Sequence, residues 1–420
     1  MKDMMNTSIL SKRWCNLWHL RTDLKFDAHN VLGNGRFLSI GDERNEFVKR
    51  VNQFLKNYKG TKIDSFMVDF ELNYEPSSTI DEWIRFAIAR GVGRIELLTP
   101  SYNYKFPFGL SFECKNSTLK DMHLKGCIIC HPATRIGRFW RSDVDVNLLT
   151  VLLSNCLLLE ELSLINSSIN SSSLKIESSS LCLLKIEELD DNYDRHLEFI
   201  SLDCPKLTIF YYDNSFSGSL SMNAPILKTI DYCVYPHPEK IHDAFALFTT
   251  LPKLEILNLY IYNTFEVKPL QGIQALKNLR QFNLSIHATY EDFDIWWILP
   301  ILQASPFLQK LSIMLRRPLF HANQRDINQD LIMFSHGEIK DVELGGCVGN
   351  KYEIKFAMNA LKYFHKLEQI VLSPYCTIKS FGGEEDYVEY NPIWYKKNRR
   401  KRILKELQGK GIELDKLILM

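Results

Sequence analysis

The sequence lacks the short signatures of the common catalytic sites. It contains no Gly-x-Ser-x-Gly elbow, no phosphate-binding loop, no Gly-x-Gly-x-x-Gly turn and no His-Glu-x-x-His pair. Each of these places reactive groups or backbone donors at a fixed spacing. His237, His242 and His287 could each join a catalytic triad only if the fold brought partners to them, and no pattern indicates this. We therefore expect a chain without catalytic residues and without a cofactor.

Net charge and long apolar runs are also missing. Lys and Arg number 51 against 50 Asp and Glu, so the formal charge is +1 and gives no general attraction to nucleic acid or an anionic membrane. The most apolar stretch, 148–165, is interrupted by Thr150, Ser154, Asn155 and Glu160, which excludes it as a membrane span. Apolar residues still make up 45 % of the chain, enough for a folded core.

Regular cysteine spacing is absent as well. The ten cysteines are scattered, and no secretory signal peptide is recognisable before them. This pattern is typical of free thiols in a reducing compartment. We expect the protein in the cytoplasm, the nucleus or both.

What the sequence does contain is a short apolar phrase that recurs about twelve times. In each copy the first, fourth and sixth residues are apolar, and from Leu159 onward successive copies begin 20 to 31 residues apart. This spacing is that of a leucine-rich repeat. The copies begin at Ile63, Val92, Leu119, Leu159, Leu181, Leu207, Leu227, Leu254, Leu279, Leu308, Ile339 and Leu367.

The phrase predicts one strand per repeat, since side chains alternate between the two faces of a strand. One strand and one connecting helix cannot cover their own apolar face, so neighbouring repeats must stack to bury it. The fold class that follows is an α/β leucine-rich-repeat solenoid, with a curved parallel sheet and helices on its convex side. The helical spacing of apolar residues predicts helices over 43–58, from Asp81 as a cap, and over 144–153, 238–248, 293–303 and 352–364.

The outward positions of the strands are the candidates for a protein-binding surface. Aromatic, amide and charged residues suit such a surface, and tyrosine is a frequent anchor. We prefer Tyr211 and Tyr260 as anchors, with Asp121 and His123 as outward residues nearer the start; Trp296 and Trp297 are expected to pack inside. The concave-face candidates are Tyr211, Asp213, Asn258, Tyr260, Gln281, Asn283, Lys310 and Ser312.

A Cys-x-x-Cys-His sequence at Cys127, Cys130 and His131 has the spacing of a haem attachment site. Haem attachment needs export, and structural zinc needs a second pair of ligands at a suitable distance. Cys127 and Cys347 each occupy the ninth place of a repeat, where leucine-rich repeats favour Asn or Cys. We therefore expect repeat packing and no metal.

A run of basic residues at 396–402 is the strongest local charge feature. It fits either a nuclear address or a solvated helix face, and the apolar Ile403, Leu404 and Leu407 favour the helix. The preceding acidic stretch around Glu384 and Glu389 is expected to be a loop. Binding of nucleic acid is disfavoured because these acidic residues can pair with the run.

Near the N-terminus, the phrase LSKRWCNLW at 10–18 closely matches the second half of the F-box of plant F-box proteins, and the chain resembles that family. The following LRTDLKFD and the segments EFVKRVNQFLKNYKG and DEWIRFAIARGVGRIELL are similar to the opening repeats of family members with leucine-rich arrays. The stretch from Ile339 to Leu372 is similar to the FBD domain that closes many of them. The resemblance implies residues 1–30 as a partial F-box, 31–335 as the repeat array and 336–420 as FBD-like repeats and a cap.

The family presents protein substrates to a cullin-type ubiquitin ligase by docking its F-box on an Skp-type adaptor. The resemblance therefore implies a substrate-recognition subunit that has no catalytic role. The first part of an F-box, with its opening Leu-Pro, has no counterpart before Trp18. Two interpretations stay open: an adaptor-binding helix, or a helix that seals the first repeat in a scaffold that no longer docks. The candidate adaptor-binding residues are Leu10, Arg13, Trp14, Leu17 and Trp18.

Overall fold

A computed structural model describes part of the chain as two compact units. Unit 1 is Met1–Leu207 with Phe216–Ala224, and unit 2 is Thr208–Ser215 with Pro225–Met420. The described residues are 21–33, 39–72, 77–98, 104–105, 118–125, 127–129, 153, 156–165, 168–169, 173–187, 198–213, 219–234, 239–262, 273–287, 295–316, 334–347, 349–378, 387–390, 399–408 and 414–420.

The main sheet of unit 1 is parallel and runs in the order β1-β2-β3-β5-β7-β10. Its strands are β1 (Asp23–Asp27), β2 (Ser65–Asp69), β3 (Arg94–Leu98), β5 (Asp121–Lys125), β7 (Glu161–Ile165) and β10 (Leu183–Glu187). A second parallel sheet joins β9 (Ser173–Glu177), β11 (Phe199–Asp203) and β13 (Ser219–Asn223). A third joins β4 (Tyr104–Lys105), β6 (Cys127–Ile129) and β8 (Ser168–Ile169).

Unit 2 contains a parallel sheet in the order β12-β14-β15-β16-β17-β18-β19-β22, and an antiparallel pair, β20-β21. The parallel strands are β12 (Ile209–Asp213), β14 (Thr229–Val234), β15 (Ile256–Tyr262), β16 (Gln281–His287), β17 (Lys310–Arg316), β18 (Asp341–Gly345), β19 (Gln369–Leu372) and β22 (Leu417–Leu419). The antiparallel strands are β20 (Tyr375–Ile378) and β21 (Tyr387–Tyr390).

Each of the twelve repeat phrases forms one strand of these parallel sheets, which confirms the predicted leucine-rich-repeat fold. The strand begins two residues after the first apolar residue of the phrase, as at Leu159 before β7 and Leu254 before β15. β1 lies within residues 1–30 and pairs in register with β2. The pairing of β17 with β18 continues across residue 335.

The turn before each strand locks the repeat to the one before it. In several repeats the N–H of the first apolar residue donates to the carbonyl three residues earlier, as from Leu254 to Leu251 at 3.3 Å. The next two N–H groups, those of Glu255 and Ile256, both donate to the carbonyl of Lys228 in the preceding repeat, at 2.9 Å each. The backbone groups are thus satisfied between repeats, as buried polar groups require.

The core lies on the side of each sheet where the second and fourth strand residues point. In unit 1, Phe26 packs against Phe54 and Phe66 with ring centroids 5.5 Å from each. In unit 2, Tyr232 meets Phe248 edge to face at 5.4 Å. When neighbouring repeats stack, these aromatic side chains are removed from water, and burial of their apolar area stabilises the fold.

The helices confirm most of the predicted stretches, and 144–152 lies outside the described residues. The helix expected to be capped by Asp81 begins instead at Ser77. The helix expected from Glu43 begins at Ile40, because the Ser39 hydroxyl accepts a hydrogen bond from the Asp42 N–H at 3.2 Å and caps the helix there. The described helices are Ala28–Leu32 (α1), Ile40–Asn57 (α2), Ser77–Ile88 (α3), Glu239–Thr249 (α4), Leu299–Ala304 (α5), Lys351–Tyr363 (α6) and Arg399–Gln408 (α7). A 3-10 turn at Ile295–Ile298 leads directly into α5.

The antiparallel pair β20-β21 was not predicted from the sequence, and part of it corrects the expected acidic loop. It packs at the carboxyl ends of β17 and β18, where Cys376 covers Met314. Two consecutive glycines permit this approach. A Cβ on Gly345 would lie 2.7 Å from the Tyr375 carbonyl oxygen, and Gly346, with φ of 69°, donates its N–H to that oxygen at 2.9 Å.

Replacing Gly346 by alanine is expected to destabilise the protein by at least about 2 kcal/mol, because the left-handed backbone alone costs roughly 1–2 kcal/mol for a residue with a Cβ. The new Cβ would also overlap with the carbonyl oxygen of Leu315. Urea unfolding measures the loss. The control is Gly337→Ala, where nothing lies within 4 Å of the new Cβ, and we expect a change within about 0.5 kcal/mol. Equal losses in the two variants would contradict this account.

His336 connects two successive repeat turns. Its Nε2 lies 3.0 Å from the carbonyl oxygen of Ser305, and its Nδ1 accepts the N–H groups of Glu338 and Ile339 at 3.2 Å each. An Nδ1 that accepts hydrogen bonds carries no proton, so these contacts require the neutral ring. Burial lowers the pKa of His336 more than the hydrogen bond to Ser305 and the charge of Glu338 raise it.

Stability is therefore expected to fall as the pH drops below about 6.5, the ordinary histidine value, because the unfolded chain gains a proton that folded His336 resists. Urea unfolding at pH 7.5 and pH 5 measures this effect. The variant His336→Asn has a side chain that cannot be protonated at this pH, so it should lose this part of the pH dependence. The control His365→Asn replaces an exposed histidine and should keep the pH dependence. An unchanged pH dependence in His336→Asn would show that His336 does not cause the loss of stability at low pH.

Candidate protein-binding face

All eight concave-face candidates lie on one face of the unit 2 sheet, which we call the open face. It consists of the side chains at the first, third and fifth positions of each parallel strand. Asn258 stands beside Asn283, which stands beside Ser312. The register places Gln281 beside Lys310 and Tyr211 beside Asp231. The sequence pattern therefore brought the eight residues to one surface, because every strand keeps the same register.

A chain of side-chain hydrogen bonds crosses the middle of this face. Gln281 Nε2 donates to Asn283 Oδ1 at 3.2 Å, and Asn283 Nδ2 donates to Asn258 Oδ1 at 2.5 Å. Asn258 Nδ2 donates in turn to the carboxylate of Asp231. Each amide donates to the next residue in the chain of bonds, which ends at the Asp231 carboxylate, so each amide orientation is fixed by its neighbour. We call these four residues the amide ladder.

The eight candidates differ in how much surface they offer a partner. Tyr260, Asp213, Asn258 and Ser312 are only 5 to 8 % exposed. Lys310 is exposed, and Tyr211, Gln281 and Asn283 are half-buried. A partner on the open face would therefore contact this second group first.

Tyr211 carries its hydroxyl beside the ladder in the neutral state. Burial raises its pKa above the ordinary tyrosine value, and the negative charge of Asp231 raises it further. A neutral hydroxyl can donate and accept a hydrogen bond at the edge of an apolar ring. This is the amphipathic character that makes tyrosine suitable as an interface anchor.

The open face of unit 1 carries charged side chains. Arg94 Nε donates to Asp121 Oδ2 at 2.8 Å, and His123 Nδ1 lies 2.8 Å from the hydroxyl oxygen of Ser163. His123 Nε2 is 3.9 Å from Glu161 Oε2. Ser163 is 2 % exposed, so its hydroxyl is not available to attack a substrate. These contacts form a polar network on the open face of unit 1.

Comparison with known families agrees with this architecture. The family described as "At1g61320/AtMIF1, LRR domain" matches residues 54–389, most of the chain. The chain belongs to this leucine-rich-repeat family. The twelve repeat strands, from β2 to β19, lie within the matched residues.

The chain is similar to several F-box proteins of Arabidopsis thaliana. The F-box/FBD/LRR-repeat protein At4g00160 is 22 % identical over 344 residues, covering 77 % of this chain and 69 % of the relative. The FBD-associated F-box protein At5g22730 is 21 % identical over 425 residues, covering 91 % and 85 %. The F-box/LRR-repeat protein At3g26922 is 27 % identical over 241 residues, covering 54 % and 74 %. No solved structure matches the chain.

These relatives confirm the resemblance to plant F-box proteins with leucine-rich repeats. The five residues expected to bind an adaptor lie outside the described residues, as do Cys130 and His131. Cys127 lies in β6, which pairs with β4 and β8. Within the described ranges, no three His, Cys, Asp or Glu side chains are placed to hold a metal ion, and no helix is long and apolar enough to cross a membrane.

Several open-face residues of the leucine-rich-repeat array were missed from the sequence. Asp231, Asp341, Glu343 and Gln369 occupy the same strand positions as the eight candidates. Ser312 Oγ donates to Glu343 at 3.2 Å, and Gln369 Nε2 donates to Asp341 at 2.8 Å. The signal was present, since each residue lies two or four places after the first apolar residue of its repeat.

The described part of the basic run forms the start of α7. Ile403 and Leu407 are buried at 1 % and 0 % exposure, whereas Arg400 and Lys401 are exposed. This arrangement is that of an amphipathic helix with a solvated basic face. A nuclear address on the same residues stays a separate prediction.

Removing the central amide of the ladder is expected to destabilise the chain by about 1–3 kcal/mol, because Asn258→Ala leaves Asn283 and Asp231 with lost partners in a buried position. Gln369→Ala removes an exposed amide bond from the same face and should cost under about 0.5 kcal/mol. Urea unfolding of both variants compares the two. A loss at Gln369 as large as that at Asn258 would show that the ladder has no special role.

Proposed function

We propose that this chain is the substrate-recognition subunit of a cullin-type ubiquitin ligase and binds its protein target through the open face. In this role it supplies binding, and the transfer of ubiquitin takes place on other subunits. An Skp-type adaptor would dock on the N-terminal segment that carries Trp14 and Trp18. The proposal needs no metal or cofactor in this chain.

The observation that carries the proposal is the in-register row of polar and aromatic side chains on the open face of unit 2. A face built from several strands offers a broad surface with fixed side chains, which suits a protein more than a small molecule. The amide ladder prevents its members from rotating, so less side-chain freedom is lost on binding. The three Arabidopsis relatives are F-box proteins by name, and this supports the link to the ligase.

A second function has its own support in the sequence. Leu10, Trp14, Leu17 and Trp18 recur at three- and four-residue spacing, which also fits an apolar helix face packed on the array, and a chain of this kind would bind partners as a scaffold without docking on the adaptor. In that case Trp14 and Trp18 would pack against the first repeat. Both functions use the open face, and both place the protein in the cytoplasm, the nucleus or both.

A pull-down with an Skp-type adaptor tests the ligase role. We expect the purified chain to retain the adaptor, and the double variant Trp14→Ala with Trp18→Ala to lose it, because two large apolar contacts are removed. Asn16→Ala with His19→Ala is the matched control in the same segment and should retain the adaptor.

The outcomes separate the two functions. Retention that disappears only in the tryptophan variant supports the substrate-recognition subunit. A folded wild-type chain that retains no adaptor refutes the ligase role and leaves the scaffold. Circular dichroism of all three proteins shows whether a lost interaction reflects unfolding.

A further inference from the structure

The open face of unit 1 carries an excess of negative charge. Its six strands present seven carboxylates and four basic side chains, an excess of three negative charges. The whole chain has a formal charge of +1, so the remainder carries an excess of four positive charges. The charged residues of this face are Asp23, Lys25, Asp27, Asp69, Arg94, Glu96, Asp121, Lys125, Glu161, Lys185 and Glu187.

Three of the four basic side chains on this face lie beside acidic neighbours on the same face. Lys25 Nζ lies 3.5 Å from Asp27, and Lys185 Nζ lies 2.8 Å from Glu187. Arg94 lies between Asp121 at 2.8 Å and Glu96 at 3.9 Å. In these pairs each cation offsets the charge of a neighbouring carboxylate.

Three carboxylates have no such neutralisation. In the described part of the chain, no Lys or Arg nitrogen lies within 4.0 Å of Asp23, Asp69 or Glu161. Asp23 and Asp69 are exposed, and Glu161 is half-buried. They stand on β1, β2 and β7, so the excess charge is spread along the sheet.

The ionisation of neighbouring groups reflects this negative potential. The carboxylates of Asp121, Glu96 and Glu161 raise the pKa of Arg94, with the hydrogen bond to Asp121 as the largest cause. For His123, burial and the charge of Arg94 together lower the pKa by more than Glu96, Glu161 and Asp121 raise it. His123 therefore remains neutral near pH 7 and does not offset the charge of the face.

We propose that the open face of unit 1 binds a lysine- and arginine-rich segment of the target protein in an extended conformation. Charge complementarity selects this occupant, since an acidic face speeds association with a basic partner and repels an acidic one. Arginine suits the half-buried carboxylates because its guanidinium bonds both oxygens of a carboxylate. This inference rests on the proposed function, because it specifies the class of target.

The dimensions of the sheet define the length of that segment. Six strands at a spacing of about 4.8 Å extend over about 24 Å, which an extended chain of roughly seven residues covers. A segment that crosses the strands meets carboxylates in successive repeats. A short basic peptide is therefore a sufficient probe.

The test measures binding of a fluorescent peptide of about eight residues, alternating lysine and serine, to the full chain. A peptide in which glutamate replaces lysine is the charge control. The variant Asp23→Asn, Asp69→Asn, Glu161→Gln removes the three unneutralised charges. The variant Glu43→Gln, Glu82→Gln, Glu198→Gln removes three carboxylates of the same unit that lie off the open face.

We expect the lysine peptide alone to bind, with affinity lowered roughly tenfold in the open-face variant and changed by less than about twofold in the control variant. Binding should weaken as salt rises above 0.1 M, where the Debye length is about 10 Å. Equal losses in the two variants would overturn the proposal, as would salt-insensitive binding or preference for the glutamate peptide.

The salt titration uses the wild-type chain, so it still tests whether charge drives peptide binding if the open-face variant fails to fold. The peptide assay contains no adaptor. Loss of peptide binding with adaptor retention would refute the basic target segment and keep the ligase role. The reverse result would refute the ligase role and keep the segment.

Discussion

Backbone pairing between successive repeats is the interaction on which the rest of the structure depends. A single repeat supplies one strand of four to seven residues and has no other way to bury residues such as Leu257 or Phe282, both 0 % exposed. Parallel pairing in constant register stacks these side chains beside one another, as Leu257 beside Phe282. Stability of this kind is a sum of nearest-neighbour contacts, so each repeat stabilises the next.

The same register governs the chemistry of the open face. Because neighbouring strands pair in the same register, Asp231, Asn258 and Asn283 lie side by side on β14, β15 and β16. Their side chains hydrogen-bond across these three strands. Buried members of the face hold the exposed ones in place, and the exposed ones are available to a partner. Recognition by such a surface is changed by substituting outward residues while the inward apolar residues stay as they are, which separates binding from folding.

In unit 2, an added antiparallel pair of strands covers the carboxyl ends of two repeat strands, β17 and β18. The antiparallel pair β20-β21 covers Met314, an open-face residue, and uses Gly345 and Gly346 to approach the main sheet. The open face is therefore limited at this edge, and Lys310 and Asp341 at the opposite ends of their strands remain accessible. Helix α6 is fixed nearby by a reciprocal capping box between Asn350 and Glu353.

The sequence by itself determined the repeat strands, because a phrase with apolar first, fourth and sixth residues, recurring at a leucine-rich-repeat spacing, predicts one strand per copy. It also assigned Asn258, Asn283 and their companions to one face for the same reason. Only the tertiary structure decided the direction of the amide ladder, the burial of Tyr260 and the docking of β20 on Met314. Apart from the Gln281–Asn283 bond within β16, these features depend on contacts between residues far apart in the chain, whose geometry no local pattern encodes.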